Sequence, residues 1–193
     1  MRIIAGNMRG RTIEAPKGRD TRPTLDRVRE SLFGILQFDL PGRRVLDLFA
    51  GSGSLGLEAL SRGAAYAYFC DRDRGAQQAV NRNIANLGLQ EQAQLFPVSY
   101  EAAIAMLAQR GVQVELVFLD PPYAGGLYEN AFSLLLQSGI LAPGCILAAE
   151  HSPKAPLPVP QGLGDVYKRQ GLCAYDTRRY GDVAITFLRE AQP

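Results

Sequence analysis

Histidine is almost absent from this chain, with one in 193 residues, and cysteine is scarce, with three. His151 has no suitable nucleophile to serve, so it is a poor basis for a hydrolase triad and reads as a structural or pocket-edge residue. Cys70, Cys145 and Cys173 lie far apart and show no C-x-x-C spacing. That argues against a disulfide framework or a zinc site and fits reduced, buried thiols. No apolar run approaches the ~20 residues that a membrane span needs. The opening M-R-I-I-A-G lacks the apolar core of a signal peptide, and no internal repeat or low-complexity tract occurs. Together these absences imply a cytoplasmic protein that uses neither metal nor membrane.

Net charge is small, +2, but uneven. Residues 1–44 hold ten Lys/Arg against five Asp/Glu, a net of +5; residues 45–150 hold five against ten, a net of −5. Basic charge gathered at one end suggests a nucleic-acid partner, and a solvated helix face is the plain alternative.

Along the chain, residues 2–5 and 10–14 read as two short strands around N-M-R-G, a hairpin. Leu25, Val28, Leu32 and Ile35, with Leu36, then recur at helical spacing and predict a helix over about 24–37. Thr24 suits its N-cap, Asp26 its first turn, and Arg27 and Arg29 its outer face. From residue 43 strand and helix patterns alternate. Strands are expected at Arg44–Phe49, Ala65–Cys70, Gln94–Pro97, Leu116–Leu119 and Cys145–Glu150; helices at Leu55–Arg62, Arg74–Leu87, Tyr100–Gln109 and Leu127–Gln137. This order predicts an α/β fold with a mostly parallel sheet, in which ligands gather at the C-terminal ends of strands. An extension, 1–42, thus precedes a domain over 43–193.

The first strand of that domain runs into V-L-D-L-F-A-G-S-G-S-L-G, where Gly51, Gly53 and Gly56 make a G-x-G-x-x-G turn between strand and helix. Twenty residues beyond Gly51, Asp71 ends the second strand, where a carboxylate can accept both hydroxyls of a ribose; Asp73 competes for that role. The pattern indicates a nucleoside cofactor. In dinucleotide sites a pyrophosphate sits on the helix N-terminus. Asp47, four residues before Gly51, would repel that anion but suits a sulfonium cofactor with a free amino group. Electrostatics therefore favours S-adenosylmethionine over NAD, and a structural carboxylate binding backbone donors is the other reading of Asp47.

A second motif, V-F-L-D-P-P-Y, follows a buried strand with Asp120, Pro121, Pro122 and Tyr123. Proline fixes φ and restricts the residue before it, so the acid is held extended just past the strand end. With the glycine loop, this resembles the amino-group methyltransferases of nucleic-acid bases. The resemblance implies that Asp120 and the Pro121 carbonyl accept hydrogen bonds from an exocyclic amine, while Tyr123 stacks on a flipped base. R-I-I-A-G-N-M-R-G-R, T-R-P-T-L-D-R-V-R-E-S-L-F, A-E-H at 149–151 and R-R-Y-G-D-V-A-I-T-F narrow it further. From Arg2 to Leu188 the chain resembles the bacterial methyltransferases that modify a guanine N2 in 16S ribosomal RNA. That implies a Rossmann-like seven-stranded methyltransferase sheet with helices on both faces, and S-adenosylmethionine as cofactor. The implied partner is 16S ribosomal RNA or a partly assembled small subunit. Candidate cofactor residues are Asp47, Phe49, Ala50, Gly51, Ser52, Gly53, Asp71, Arg72 and Ser99, with Tyr100 as an alternative to Ser99 near the adenine. Candidate RNA residues are Arg9, Arg11, Arg22, Arg27 and Arg29.

Two features depart from the family pattern. Asp71 replaces the commoner glutamate, and Ser99 stands where an acid is usual. The block D-V-Y-K-R-Q at 165–170 interrupts an apolar pattern and is similar to the translated end of a transposon used in DNA-library preparation, so Lys168 and Arg169 are not counted as an RNA patch. Rival readings are an adenine-N6 methyltransferase on DNA or RNA, an NAD-dependent dehydrogenase on the same glycine loop, and a non-catalytic RNA-binding protein.

Overall fold

A computed structural model of the chain describes residues 1–16, 23–122, 126–155, 157–159 and 171–190. Among these residues there are five helices and seven strands, in two compact units, Met1–Tyr100 and Glu101–Pro193.

In the first unit, β1 (Arg44–Asp47), β2 (Tyr66–Cys70) and β3 (Ala93–Phe96) are all parallel, in the order β3-β2-β1. Parallel strands need crossover connections, supplied here by α2 (Ser54–Ser61) and α3 (Arg74–Leu87). Asp73 caps α3, its carboxylate accepting from the Ala76 N–H at 2.9 Å, and Gly88 ends it in the left-handed region.

The first helix, α1 (Pro23–Leu36), begins one residue earlier than the apolar pattern indicates. Proline at its first position loses no intrahelical hydrogen bond, so Thr24 lies inside the helix and is not its cap. Val28, Leu32, Phe33 and Leu36 are buried.

The expected hairpin forms as a short antiparallel ladder: Arg2 bridges Thr12, and the N–H groups of Ile3, Gly10 and Ile13 donate to the carbonyls of Arg11, Ile3 and Met1. Four further donors, the N–H groups of Ile4, Ala5, Asn7 and Met8, go to α2. Glu58 is fully buried, and its carboxylate accepts from the N–H groups of Ile4 (2.8 Å) and Ala5 (3.0 Å) and from Arg62 Nε (2.7 Å). Ser61 Oγ accepts from the Met8 N–H and donates to the Ala5 carbonyl, while the Ser61 carbonyl accepts from the Asn7 N–H. A buried carboxylate is tolerated when it is this fully paired. Gly6 completes the fit: it has φ +84, and a Cβ there would lie 1.8 Å from the Ser61 carbonyl oxygen.

In the second unit, β4 (Val114–Leu119), β5 (Leu141–His151), β6 (Leu172–Tyr180) and β7 (Val183–Glu190) run in the order β4-β5-β7-β6. The β4–β5 pair is parallel; β7 lies antiparallel to both β5 and β6. The last four residues of β4 are all buried, as a strand covered on both faces requires. Two helices, α4 (Tyr100–Gln109) and α5 (Leu127–Ser138), complete the set. Cys70 and Cys145 are buried, but Cys173 is exposed, because β6 is the edge strand and is exposed along most of its length. The 165–170 block lies outside the described residues. No described helix is long and apolar enough to cross a membrane.

Candidate active site

The glycine loop begins where β1 ends. Asp47 is buried, and its Oδ2 accepts from the Gly56 N–H at 3.1 Å, so this carboxylate ties the loop back to its own strand. Gly51 and Gly53 have φ of 56° and 78°, a region that side chains with a Cβ rarely adopt. Gly56 serves packing instead: a Cβ would stand 2.3 Å from the Phe69 ring. The loop is strapped to β2 by the Ala50 N–H donating to the Cys70 carbonyl and by the Gly51 N–H donating to Asp71 Oδ2 at 2.8 Å.

Asp71 also accepts from the Asp73 N–H at 2.9 Å. A carboxylate offers about four lone-pair sites, so two accepted bonds leave it able to receive ribose hydroxyls. Asp73, the competing acid, is committed to the α3 cap. Phe49 packs against Tyr100 with ring centroids 5.2 Å apart. Tyr100 is largely buried as the first residue of α4, whereas Ser99 just before it is half-buried; Arg72 is exposed.

A residue that the sequence pattern did not single out holds the loop from behind. Asn83 on α3 is fully buried; its Nδ2 donates to the carbonyls of Ser52 and Glu14, each at 2.9 Å, and its Oδ1 accepts from the Glu14 N–H at 2.8 Å. One side chain therefore joins the glycine loop to the N-terminal segment. Polar asparagine inside the otherwise apolar stripe of α3 was the available signal.

In the second unit, Asp120 follows β4 directly and is exposed, Pro121 is buried and Pro122 exposed. Tyr123 lies outside the described residues. Leu119 pairs with Ala149 across β4 and β5, so Asp120 and Glu150 come next, side by side, on adjacent parallel strands. Burial, and then the charge of Asp120, push the Glu150 carboxyl up to about 8. The Tyr128 hydroxyl donates to the Glu150 carbonyl. Glu150 was not among the expected site residues, although two acids at the ends of neighbouring expected strands could have marked it. His151 is structural: Nδ1 meets the Ser152 carbonyl at 3.0 Å and Nε2 the Thr186 hydroxyl at 2.9 Å.

The candidate RNA arginines divide. Arg9 and Arg27 are exposed; Arg11 is exposed too, but its Nη2 donates to the Asn86 carbonyl at 2.6 Å. Arg22 lies outside the described residues. Arg29 is the correction: it is buried, with Nη2 donating to the Arg2 carbonyl and to Asp26 Oδ1, and burial lowers its pKa. It faces inward because Phe33, four residues on, extends the buried face of α1 to its side.

Comparison with known proteins identifies the relatives of this chain. The family model described as Conserved hypothetical protein 95 matches residues 1–189. "Ribosomal RNA small subunit methyltransferase D" of Escherichia coli K12 is 42% identical over 158 residues, covering 82% of this chain and 78% of that protein. The protein of the same name from Haemophilus influenzae is 38% identical over 164 residues, covering 83% of each. A solved structure, "Putative methyltransferase yhhF from Escherichia coli", superposes with a TM-score of 0.81 at 35% identity, over 100% of this chain and 99% of that one. The α/β class read from the alternating pattern is thus the Rossmann-like fold of methyltransferases. With a match along nearly its whole length and relatives this similar, the chain belongs to the Conserved hypothetical protein 95 family, among the relatives of ribosomal RNA small subunit methyltransferase D.

Proposed function

We propose that this protein methylates the exocyclic N2 amine of a guanine in 16S ribosomal RNA, free or in a partly assembled small subunit, in the cytoplasm. The observation that carries the reading is the exposed Asp120 carboxylate, set immediately after a buried strand and stiffened by two prolines.

When bound, S-adenosylmethionine supplies an electrophilic methyl group on a sulfonium. The residues of the glycine loop suit it. Asp71 keeps lone pairs for ribose hydroxyls, and the half-buried Ser99 is the candidate for the adenine edge. The buried Asp47 behind the loop disfavours a pyrophosphate at this helix start. Asp47 acts chiefly by holding the Gly56 backbone, with any contact to a cationic amine secondary.

On the acceptor side, the amine of guanine is a poor nucleophile because its lone pair is delocalised into the base. Asp120 and the Pro121 carbonyl accept its two N–H bonds, favour tetrahedral geometry and aim the nitrogen at the methyl carbon; alignment of this kind supplies most of the rate gain. Asp120 receives the released proton, directly or through water. Glu150, holding its own proton at neutral pH, keeps the acid pair to a single negative charge, so that the accepting role falls to Asp120. Tyr123 is proposed to stack on the flipped base.

The test is transfer of labelled methyl groups to ribosomal RNA from a strain lacking such an enzyme, followed by digestion to nucleosides. N2-methylguanosine is expected. N6-methyladenosine would assign the adenine chemistry instead, and an unlabelled product would reject methyl transfer to this RNA.

A further inference from the structure

Charged side chains of both signs line one concavity of the first unit. A cleft of about 350 Å³ is lined by Arg2, Arg9, Arg27, Asp26 and Glu30, with Ile4 among its apolar surface. No hydrogen bond or ion pair of the Arg2, Arg9, Arg27 or Glu30 side chains occurs among the described residues. Asp26 is the exception, accepting from Arg29 at 3.1 Å. Arg29 in turn holds the Arg2 carbonyl, which fixes the backbone of one lining residue in place.

Three open guanidiniums invite a phosphate, since each offers a planar fork of donors. A purely anionic ligand would meet Glu30. A nucleotide resolves both demands: its phosphate is an anion, and its base edge carries an amine that a carboxylate can accept. The volume sits at the lower end of the ~300–1,000 Å³ typical of small-molecule sites and suits one nucleotide rather than a helix.

We infer that this cleft, between the Arg2–Gly10 segment and α1, is a subsite for one RNA nucleotide outside the methylated guanine. Arg9 and Arg27, with Arg2, take its phosphate, and Glu30 accepts the amine of its base. This rests on ribosomal RNA being the substrate, and it adds that the protein reads a flanking base and does not only neutralise backbone.

Fluorescence anisotropy with a labelled 16S RNA fragment tests it without any turnover. Arg9→Ala and Arg27→Ala should each weaken binding by about fivefold or more and flatten the dependence of log affinity on log salt by about one. Glu30→Gln should leave the salt slope alone but change the ranking of RNAs that differ at a single flanking nucleotide. Thermal midpoints and S-adenosylhomocysteine affinity serve as controls that fold and cofactor loop are intact. Wild-type affinity, slope and ranking in all three variants would overturn the subsite. Losses seen only with assembled small subunits and not with naked RNA would assign the cleft to a ribosomal protein and overturn it equally. Methylation by the wild-type protein, measured on the same RNA, reports separately on the proposed function.

Discussion

Asp120 and Glu150 stand side by side at the ends of two paired parallel strands, one exposed and one half-buried, and the buried member holds its proton to about pH 8. The linkage has a definite sign. The folded Glu150 keeps a proton that the unfolded chain loses above its ordinary value of 4.5. The stability from this group is therefore fully present below about 4.5 and is lost as pH rises through about 8. Glu150→Gln cannot ionise, so its melting temperature should gain on the wild type steadily from pH 5 to pH 8. Thermal unfolding across that range checks it; parallel curves would mean that the acid is not held protonated.

Asp120→Ala and Asp71→Ala should fail in different ways. The first should bind S-adenosylhomocysteine nearly as the wild type does but methylate at least about a hundredfold more slowly, as expected for a lost positioned catalytic group. The second should weaken cofactor affinity by about tenfold or more, because the Gly51 N–H loses its charged acceptor and the ribose loses its own. Calorimetric titration beside single-turnover rates separates the two, and an unchanged rate in Asp120→Ala would remove the proposed mechanism.

Gly56→Ala should destabilise the protein by about 1–3 kcal/mol, the usual cost of overpacking, because the new methyl meets the Phe69 ring. Phe69→Leu costs stability alone but makes room for that methyl. The double variant should therefore be more stable than the sum of the two single losses implies, and strict additivity in denaturant titrations would show that the contact is not the cause.

Asn83→Ala should cost about 1–3 kcal/mol by leaving polar groups of Glu14 and Ser52 unpaired. Because Ser52 belongs to the glycine loop, cofactor affinity should fall with stability. Hydrogen exchange should report faster opening at both Glu14 and residues 50–53; a change at only one of them would contradict the bridge.

Much of this was legible beforehand where period and punctuation agree. For α3 and α4 the apolar repeat and the flanking turns bound the helices at Arg74–Leu87 and Tyr100–Gln109, as found. The glycine loop was readable because positive φ and close packing both select glycine. Contacts between segments distant in sequence were not readable. Glu58 looks like an ordinary helix-surface acid until its two backbone donors, more than fifty residues away, are placed. Arg29 looks solvent-facing when only aliphatic residues are counted, and its inward position follows from the aromatic Phe33. The pairing of Glu150 with Asp120 needs strand register, which no local pattern carries.

The seam between residues 4–8 and α2 bears on how these enzymes could be recombined. A chimaera that borrowed only a relative's N-terminal arm would bring backbone amides whose acceptors, Glu58 and Ser61, sit on a helix inherited from the other parent. Arm and helix form one exchangeable cassette, and a graft that respects that boundary is the one that avoids stranding a sealed-in carboxylate.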